Sequence, residues 1–385
     1  MVKHSSRILL SQSALKNNIN FLRKKIGSQS QISAVVKANA YGHGIAPMTK
    51  MLERCGISHF STASAHEAEE VLEHCSAGSQ VMIMGILYDA DLKWAVEHEV
   101  EFFVFNFERL PKILEVVKAT GKVAKVHLEL ETGTNRTGMT PAAYSKALGW
   151  LKRNAGYVAF QGLCTHLGGA ENSSNAFKIK PQIEAYFEAV KLAHKRNLEP
   201  KYRHLACSAA ALAYPETRLD LVRIGVSIYG FWPSPEIYYQ HLHDSGKFKD
   251  SPLKRIITWK TDVMDVKTVK KGEFIGYGTS FQALKDMTVA VLPLGYSNGY
   301  ARALSNRGYV LIKGIKAPIV GLINMNLFMV DISHIPGVEV GAEVVLLGKQ
   351  RHNVIKVSSF TNSTQLLNTE MLCRLPAAIP REIVK

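Results

Sequence analysis

"ISAVVKANAYGHG", residues 32–44, runs an apolar strand-like segment straight into a lysine and then into a turn of small residues. Lys37 stands where the apolar run ends, and a lysine is costly to desolvate unless it is paired or changes its charge state. Seven further runs have the same strand-like character. They are SHFST (58–62), VMIM (81–84), FFVF (102–105), VAKVHLEL (123–130), VAFQGLC (158–164), YRHLA (202–206) and RLDLVRI (218–224). Helical patterns separate most of them. One opens with the capping box SAHE, Ser64 to Glu67; another follows Pro141, and a long one spans roughly 175–196. Eight strands with intervening helices predict a (β/α)8 barrel of the TIM type, with a doubly wound open sheet as the alternative.

The flanks complete the layout. Ahead of the barrel, SALKNNINFLRKKI places Leu15, Ile19, Leu22 and Ile26 on one helical face. Beyond about residue 240 the chain turns to short strands and Gly-rich turns: IITWKTDVMDVKTV, TVAVLPL, YVLIK, APIVGL, LFMVDI and EVVLLG. The expected organisation is a barrel over 1–240, including a short N-terminal strand and helix, and a mainly β domain over 241–385. The hydrophilic segment YYQHLHDSGKFKDSP reads as the linker.

Composition narrows the function. The 385 residues are 46% hydrophobic and 21% charged, with a formal net charge of +15. The 47 Lys and Arg are spread along the chain without a basic run interleaved with aromatics, which argues against nucleic acid and for a surface that attracts anionic small molecules. Five cysteines without a C-x-x-C pair favour reduced thiols, no metal site and a cytoplasmic setting. The apolar run near the N-terminus is too short for a signal peptide, and no stretch is long enough to span a membrane.

In a barrel, functional groups gather where strands end. Lys37 follows the first strand, Arg136 (in ETGTNRTGM) the fifth and His166 (in CTHLGG) the sixth. Cys207 and Ser208 follow the seventh, and Arg223 closes the eighth in VRIGVSIYG. Each has an ordinary reading alone: a snorkelling lysine, an arginine on a loop carboxylate, a near-core histidine, a serine N-cap before AAALAY. Together on one rim they point to pyridoxal phosphate, which needs a lysine for its imine, donors for its phosphate and a partner for its ring nitrogen.

These residues lie in motifs that resemble the alanine racemase family, pyridoxal-phosphate enzymes of fold type III. AVVKANAYGHG, TGTNRTGM, THL, SAA, RIGVSIYG, GYG, PLGYSNGY and INMNLFMVD occur in the family's order along nearly the whole chain. The resemblance implies that Lys37 is the imine lysine and one catalytic base, with Tyr277 the second base on the opposite face of the α-carbon. It implies that Tyr41, Ser208 and the amides of Gly225 and Val226 hold the cofactor phosphate. Arg223 would face the ring nitrogen with His166 beside it, Arg136 would lie near the phenolic oxygen, and Arg136 and Met325 would position the substrate carboxylate. It implies a homodimer in which Tyr277 and the INMN segment enter the partner's site, and a role in supplying D-alanine for peptidoglycan precursors.

Several positions depart from the family pattern. Glu129 stands where many members carry a carbamylated lysine, Cys207 where many have Asn, and Asn326 where many have Asp. Thr369 replaces a phosphate-binding tyrosine. The expected activity is interconversion of L- and D-alanine by a Lys37/Tyr277 pair. The alternatives are a broad-specificity amino-acid racemase, favoured by Asn326 and Cys207, and a non-catalytic cofactor-binding protein.

Overall fold

All eight apolar runs of the first two-thirds form strands: β2 (Gln31–Val35), β3 (His59–Thr62), β4 (Gln80–Ile83), β5 (Glu101–Val104), β6 (Ala124–Leu130), β7 (Val158–Thr165), β8 (Tyr202–His204) and β9 (Leu221–Ile224). In this computed structural model, which describes residues 4–246, 251–364 and 366–385, they build one parallel sheet in the order β8-β7-β6-β5-β4-β3-β2-β9. The end strands approach each other at a parallel bridge between Cys207 and Arg223, where the Arg223 amide donates to the Ala206 carbonyl at 3.0 Å. The result is a near-closed barrel, with helices in the connections. Met82, Phe103, Cys164, Tyr202 and Leu221 come from five of its strands and pack together in a buried cluster.

The second sheet has ten strands. β1 (Ser6–Ser11), β10 (Ile257–Asp262), β11 (Asp265–Val269), β12 (Met287–Leu292) and β13 (Tyr309–Ile312) are joined by β14 (Ile315–Val320), β15 (Phe328–Asp331), β16 (Glu343–Gln350), β17 (Asn353–Ile355) and β18 (Arg381–Val384). Their order is β11-β12-β15-β14-β13-β16-β10-β1-β18, with β17 on β16. Its core includes Tyr300, whose ring lies 4.7 Å from Phe328, 5.3 Å from Phe360 and 5.8 Å from Trp259. The chain divides into two compact units, one of residues 13–38 and 48–255, the other of 1–12, 39–47 and 256–385.

Three details differ from the sequence reading. The N-terminal strand, grouped there with the barrel, pairs antiparallel with β10 and parallel with β18, and so belongs to the second sheet. The run IITWKTDVMDVKTV is two strands, because the chain changes partners in between. The Val263 amide still bonds to Ala342, while the next amide, Met264, bonds to Val291. The linker segment begins inside a helix, Pro235–Ser245, started by Ser234 whose Oγ accepts from the Ile237 amide at 3.2 Å and by Pro235 in the first turn. Part of that linker, residues 247–250, lies outside the described residues. The five cysteines form no disulfide among the described residues, and no helix among them is long and apolar enough to cross a membrane.

Candidate active site

Lys37 sits exposed just beyond β2, so its charge keeps access to solvent. The unusual feature is the backbone after it. Ala38, Asn39, Ala40 and Tyr41 have φ of 54°, 52°, 51° and 52°, a complete left-handed turn made of L-residues, followed by Gly42 at φ +77°. Left-handed backbone costs about 1–2 kcal/mol per such residue, so surrounding contacts must enforce it. The Ala38 amide donates to Glu67 Oε1 at 2.6 Å, and Glu67 Oε2 accepts from the Ala63 amide at 2.8 Å. His43 Nδ1 donates to the Ala40 and Tyr41 carbonyls, the Gly44 amide to Asn39 O, and Arg381 Nη2 to Gly42 O. Gly42 has a second reason to be glycine: a Cβ there would lie 1.9 Å from the Leu372 carbonyl oxygen.

The other barrel residues lie at the same ends of their strands. After β6, the Glu131 carboxylate accepts from the Gly133 and Arg136 amides and so shapes the loop that presents the exposed Arg136. Burial opposes ionisation of Glu131, but these backbone bonds prevail and lower its pKa. After β7 comes His166, whose carbonyl accepts from Thr134 Oγ1. Arg223 is 5% exposed; it donates through Nη1 to His204 Nδ1 at 2.7 Å and His204 O at 3.0 Å, and through Nη2 to Thr165 O at 2.8 Å. After β8, Ser208 is the first residue of the helix Ser208–Ala213 and not its cap; Cys207 holds the cap position, without a side-chain capping bond. That leaves the buried Ser208 Oγ to accept from the Gly225 amide at 2.9 Å, with its own proton available for another acceptor. Val226 follows, half-buried.

The charges of these groups act on one another. The His166 pKa is pushed down to about 3, first by burial and then by the positive charges of Arg223, Arg136 and Lys37. Glu129 is buried, not outward-facing. Burial raises its carboxyl, while a bond from Thr137 and the fields of Arg223 and Arg136 pull the other way. It therefore lies within electrostatic reach of both Arg223 and Arg136.

Tyr41, Tyr277, Met325 and Thr369 fall in the other unit. Tyr277 is 74% exposed, between Gly276 (φ +76°) and Gly278 (φ +70°), which let the chain turn sharply on both sides of it. Met325 is also exposed; its carbonyl accepts from Ser297 Oγ at 2.7 Å, and Asn326 Nδ2 donates to the same Ser297 Oγ at 2.8 Å. Gly295 admits this packing, since a Cβ there would meet the Asn324 carbonyl at 2.0 Å. Thr369 is half-buried in the helix Asn368–Cys373. Sequence reasoning missed Glu67 as an anchor of the turn after Lys37, because its place in a capping box already explained it. It also missed Glu131 and His204. The only signals for those two are a carboxylate just ahead of the glycine-bearing TGTNR loop and a histidine closing a barrel strand.

A parallel barrel that gathers lysine, two arginines, histidine and a hydroxyl at its strand ends, followed by a β domain, is the framework of an enzyme acting on anionic small molecules. Family models for the alanine racemase N-terminal and C-terminal domains match residues 10–233 and 256–383. The chain belongs to the alanine racemase family. It is 33% identical over 381 residues to the alanine racemase of Leptospira interrogans serogroup Icterohaemorrhagiae serovar copenhageni, covering 99% of this chain and 96% of that one. The alanine racemase structure from Streptomyces coelicolor A3(2) superposes with a TM-score of 0.87 at 28% identity, covering 99% of this chain and 98% of that one. The histidine racemase structure from Leuconostoc mesenteroides subsp. sake gives 0.88 at 26% identity, covering 100% and 99%.

Proposed function

We propose that the protein interconverts L- and D-alanine with pyridoxal phosphate, using Lys37 and Tyr277 as bases on opposite faces of the α-carbon. The observation that carries this reading is the placement of Lys37, Arg136, His166, Ser208 and Arg223 at the same ends of the barrel strands, where the charges of Lys37, Arg136 and Arg223 act on His166. Three cations around a neutral imidazole favour an anionic occupant, and the nearby Ser208 hydroxyl has a proton to give. That donor set fits a phosphorylated aldehyde and an amino-acid carboxylate. When bound, pyridoxal phosphate supplies an aldehyde for imine formation and a conjugated ring that delocalises the charge left when the α-proton departs.

The chain's own residues do the rest. Lys37 Nζ removes or returns the α-proton on one face, and the Tyr277 phenol does so on the other, so each direction of reaction uses one residue as acid and the other as base. Arg136 and Met325 fix the substrate carboxylate, with Glu129 orienting Arg136. Tyr41, Ser208, Gly225, Val226 and Thr369 would hold the phosphate. Arg223 would lie toward the ring nitrogen; a guanidinium gives up its proton reluctantly, so it would leave the ring a modest electron sink. Because His166 stays neutral, it adds no further positive charge beside Arg223. Tyr277 serves the site of a partner subunit in a cytoplasmic homodimer; its exposure, together with that of Met325 and Leu284, supports this assignment.

Asn326 and Cys207 support a second reading, a racemase accepting several side chains. One experiment separates the two: deuterium entry at the α-position, followed by NMR in heavy water, with chiral analysis of the same samples. Exchange and inversion confined to alanine support the main reading, and activity across several amino acids supports the second. Neither with any amino acid, despite bound cofactor, would overturn both. Lys37→Ala should abolish the borohydride-sensitive visible band of the bound cofactor, and an unchanged band would assign that role to another lysine.

A further inference from the structure

Beneath Arg223 the barrel interior holds a chain of polar side chains that the proposed reaction does not use. Arg223 Nη1 bonds to His204 Nδ1 at 2.7 Å, His204 Nε2 to His127 Nδ1 at 2.8 Å, and His127 Nε2 to Glu101 Oε2 at 2.9 Å. His204 and His127 are fully buried, and Glu101 is 1% exposed. The protons are fixed from both ends. A guanidinium has only donors, so His204 Nδ1 accepts and its Nε2–H must donate. An ionised carboxylate only accepts, so His127 donates from Nε2 and receives at Nδ1. Every bond then points the same way, from the cation to the anion through two neutral imidazoles.

The structure takes several measures to keep Glu101 ionised in this interior. His59 Nε2 donates to Oε2 at 3.3 Å and Gln161 Nε2 to Oε1 at 2.6 Å. Burial alone would raise the carboxyl, but the bonds from His127 and His59 outweigh it and hold its pKa well below the usual range. Gln161 reaches it from a bulge: Val126 pairs with Phe160 but His127 pairs with Gly162, leaving Gln161 as the extra residue. Gly162 makes room for the chain, since a Cβ there would lie 2.0 Å from His127 Nδ1. The Phe103 ring lies 6.0 Å from that of His127 and 5.9 Å from that of His204, and Tyr202 stacks on His127 from 6.4 Å. Such surroundings strengthen each bond, and aligned bonds polarise one another.

We propose that Glu101 is the remote counter-charge of Arg223, coupled to it through His204 and His127, and so a positioning residue that sets the orientation and effective charge Arg223 presents at the rim. Among the described residues no carboxylate hydrogen-bonds to Arg223 directly and Glu129 acts on it only through its field, so the bonded compensation is this distant one. The proposal rests on the reading above only for what Arg223 faces; the coupling itself is a property of the barrel.

The test is side-chain 15N–1H NMR of His127, His204 and Arg223 in the full-length, cofactor-free protein. Glu101→Gln should shift all three sets of signals, the Arg223 guanidinium included. Gln161→Leu removes a donor from Glu101, should strengthen the His127 bond and should move the same signals in the opposite direction. Loaded with pyridoxal phosphate, Glu101→Gln should also shift the visible band of the cofactor while keeping its binding. If His127 responds but His204 and Arg223 do not, Glu101 is only a local structural anchor and the proposal fails. Because the NMR arm needs neither cofactor nor substrate, a wrong racemase reading would leave its result standing.

Discussion

At the scale of single residues, burial of ionisable and conformationally special groups has measurable consequences. His43 is fully buried, and burial pushes its pKa from 6.5 down to about 4 despite bonds to the Tyr41 and Ala40 carbonyls. The unfolded chain takes up a proton near 6.5 that the folded protein refuses until about 4. Stability is therefore intact above 6.5 and is lost as pH falls through that window, by on the order of 3 kcal/mol. His166, lowered to about 3, acts in the same direction. Urea midpoints at pH 7.5 and 4.5 should show the loss, and His43→Asn should shrink it; an undiminished loss would clear His43. Gly42 offers a second test. Gly42→Ala combines left-handed backbone with a carbonyl oxygen 1.9 Å away, whereas Gly78→Ala meets the same backbone problem at φ +92° with nothing within 4 Å. Gly78→Ala should cost about 1 kcal/mol and Gly42→Ala at least ~2 kcal/mol more, read as the difference in unfolding free energy.

At the scale of elements, the helix Ala65–His74 matters for the site because its first turn holds Glu67. Ser64 Oγ caps the Glu67 amide at 3.3 Å in the expected way, but the carboxylate turns outward to the Ala63 and Ala38 amides. Glu67→Ala leaves those amides without their charged acceptor. The cost should be about 1.5–3 kcal/mol, and the band of the bound cofactor should weaken as the segment after Lys37 loosens; a full-strength band at normal stability would separate Glu67 from Lys37. This case also shows what the sequence can carry. The capping box was legible because its signal is local, but the second partner, Ala38, lies far back in the chain. The barrel strands were legible because each is a short apolar run, and Lys37, Arg136, His166 and Arg223 were legible because strand ends can be counted. The place of β1 in the second sheet was not legible, since SRILLS says nothing about its partners. Nor was the chain from Glu101 to Arg223, whose four members sit on four strands and meet only once the barrel curves.

At the scale of the whole molecule, the two proposed bases belong to different units of the chain: Lys37 to the barrel unit and Tyr277 to the β unit. Tyr277→Phe should lower turnover in both directions while the cofactor stays bound, and normal racemisation in that variant would remove Tyr277 from the mechanism. Whether Tyr277 serves its own barrel or a partner's can be decided by mixing lesions. A mixed dimer of Lys37→Ala and Tyr277→Phe chains with shared sites has one doubly damaged site and one intact site. Random pairing makes half the dimers mixed, so activity should return to about a quarter of the wild-type value per site, well above that of either variant alone. If each chain completes its own site, every site in the mixture carries one lesion and no activity returns. Co-expression with two different tags, purification of the doubly tagged dimer and assay of alanine inversion give the answer. Half of wild-type activity in that fraction supports the shared site, and the background of the single variants excludes it.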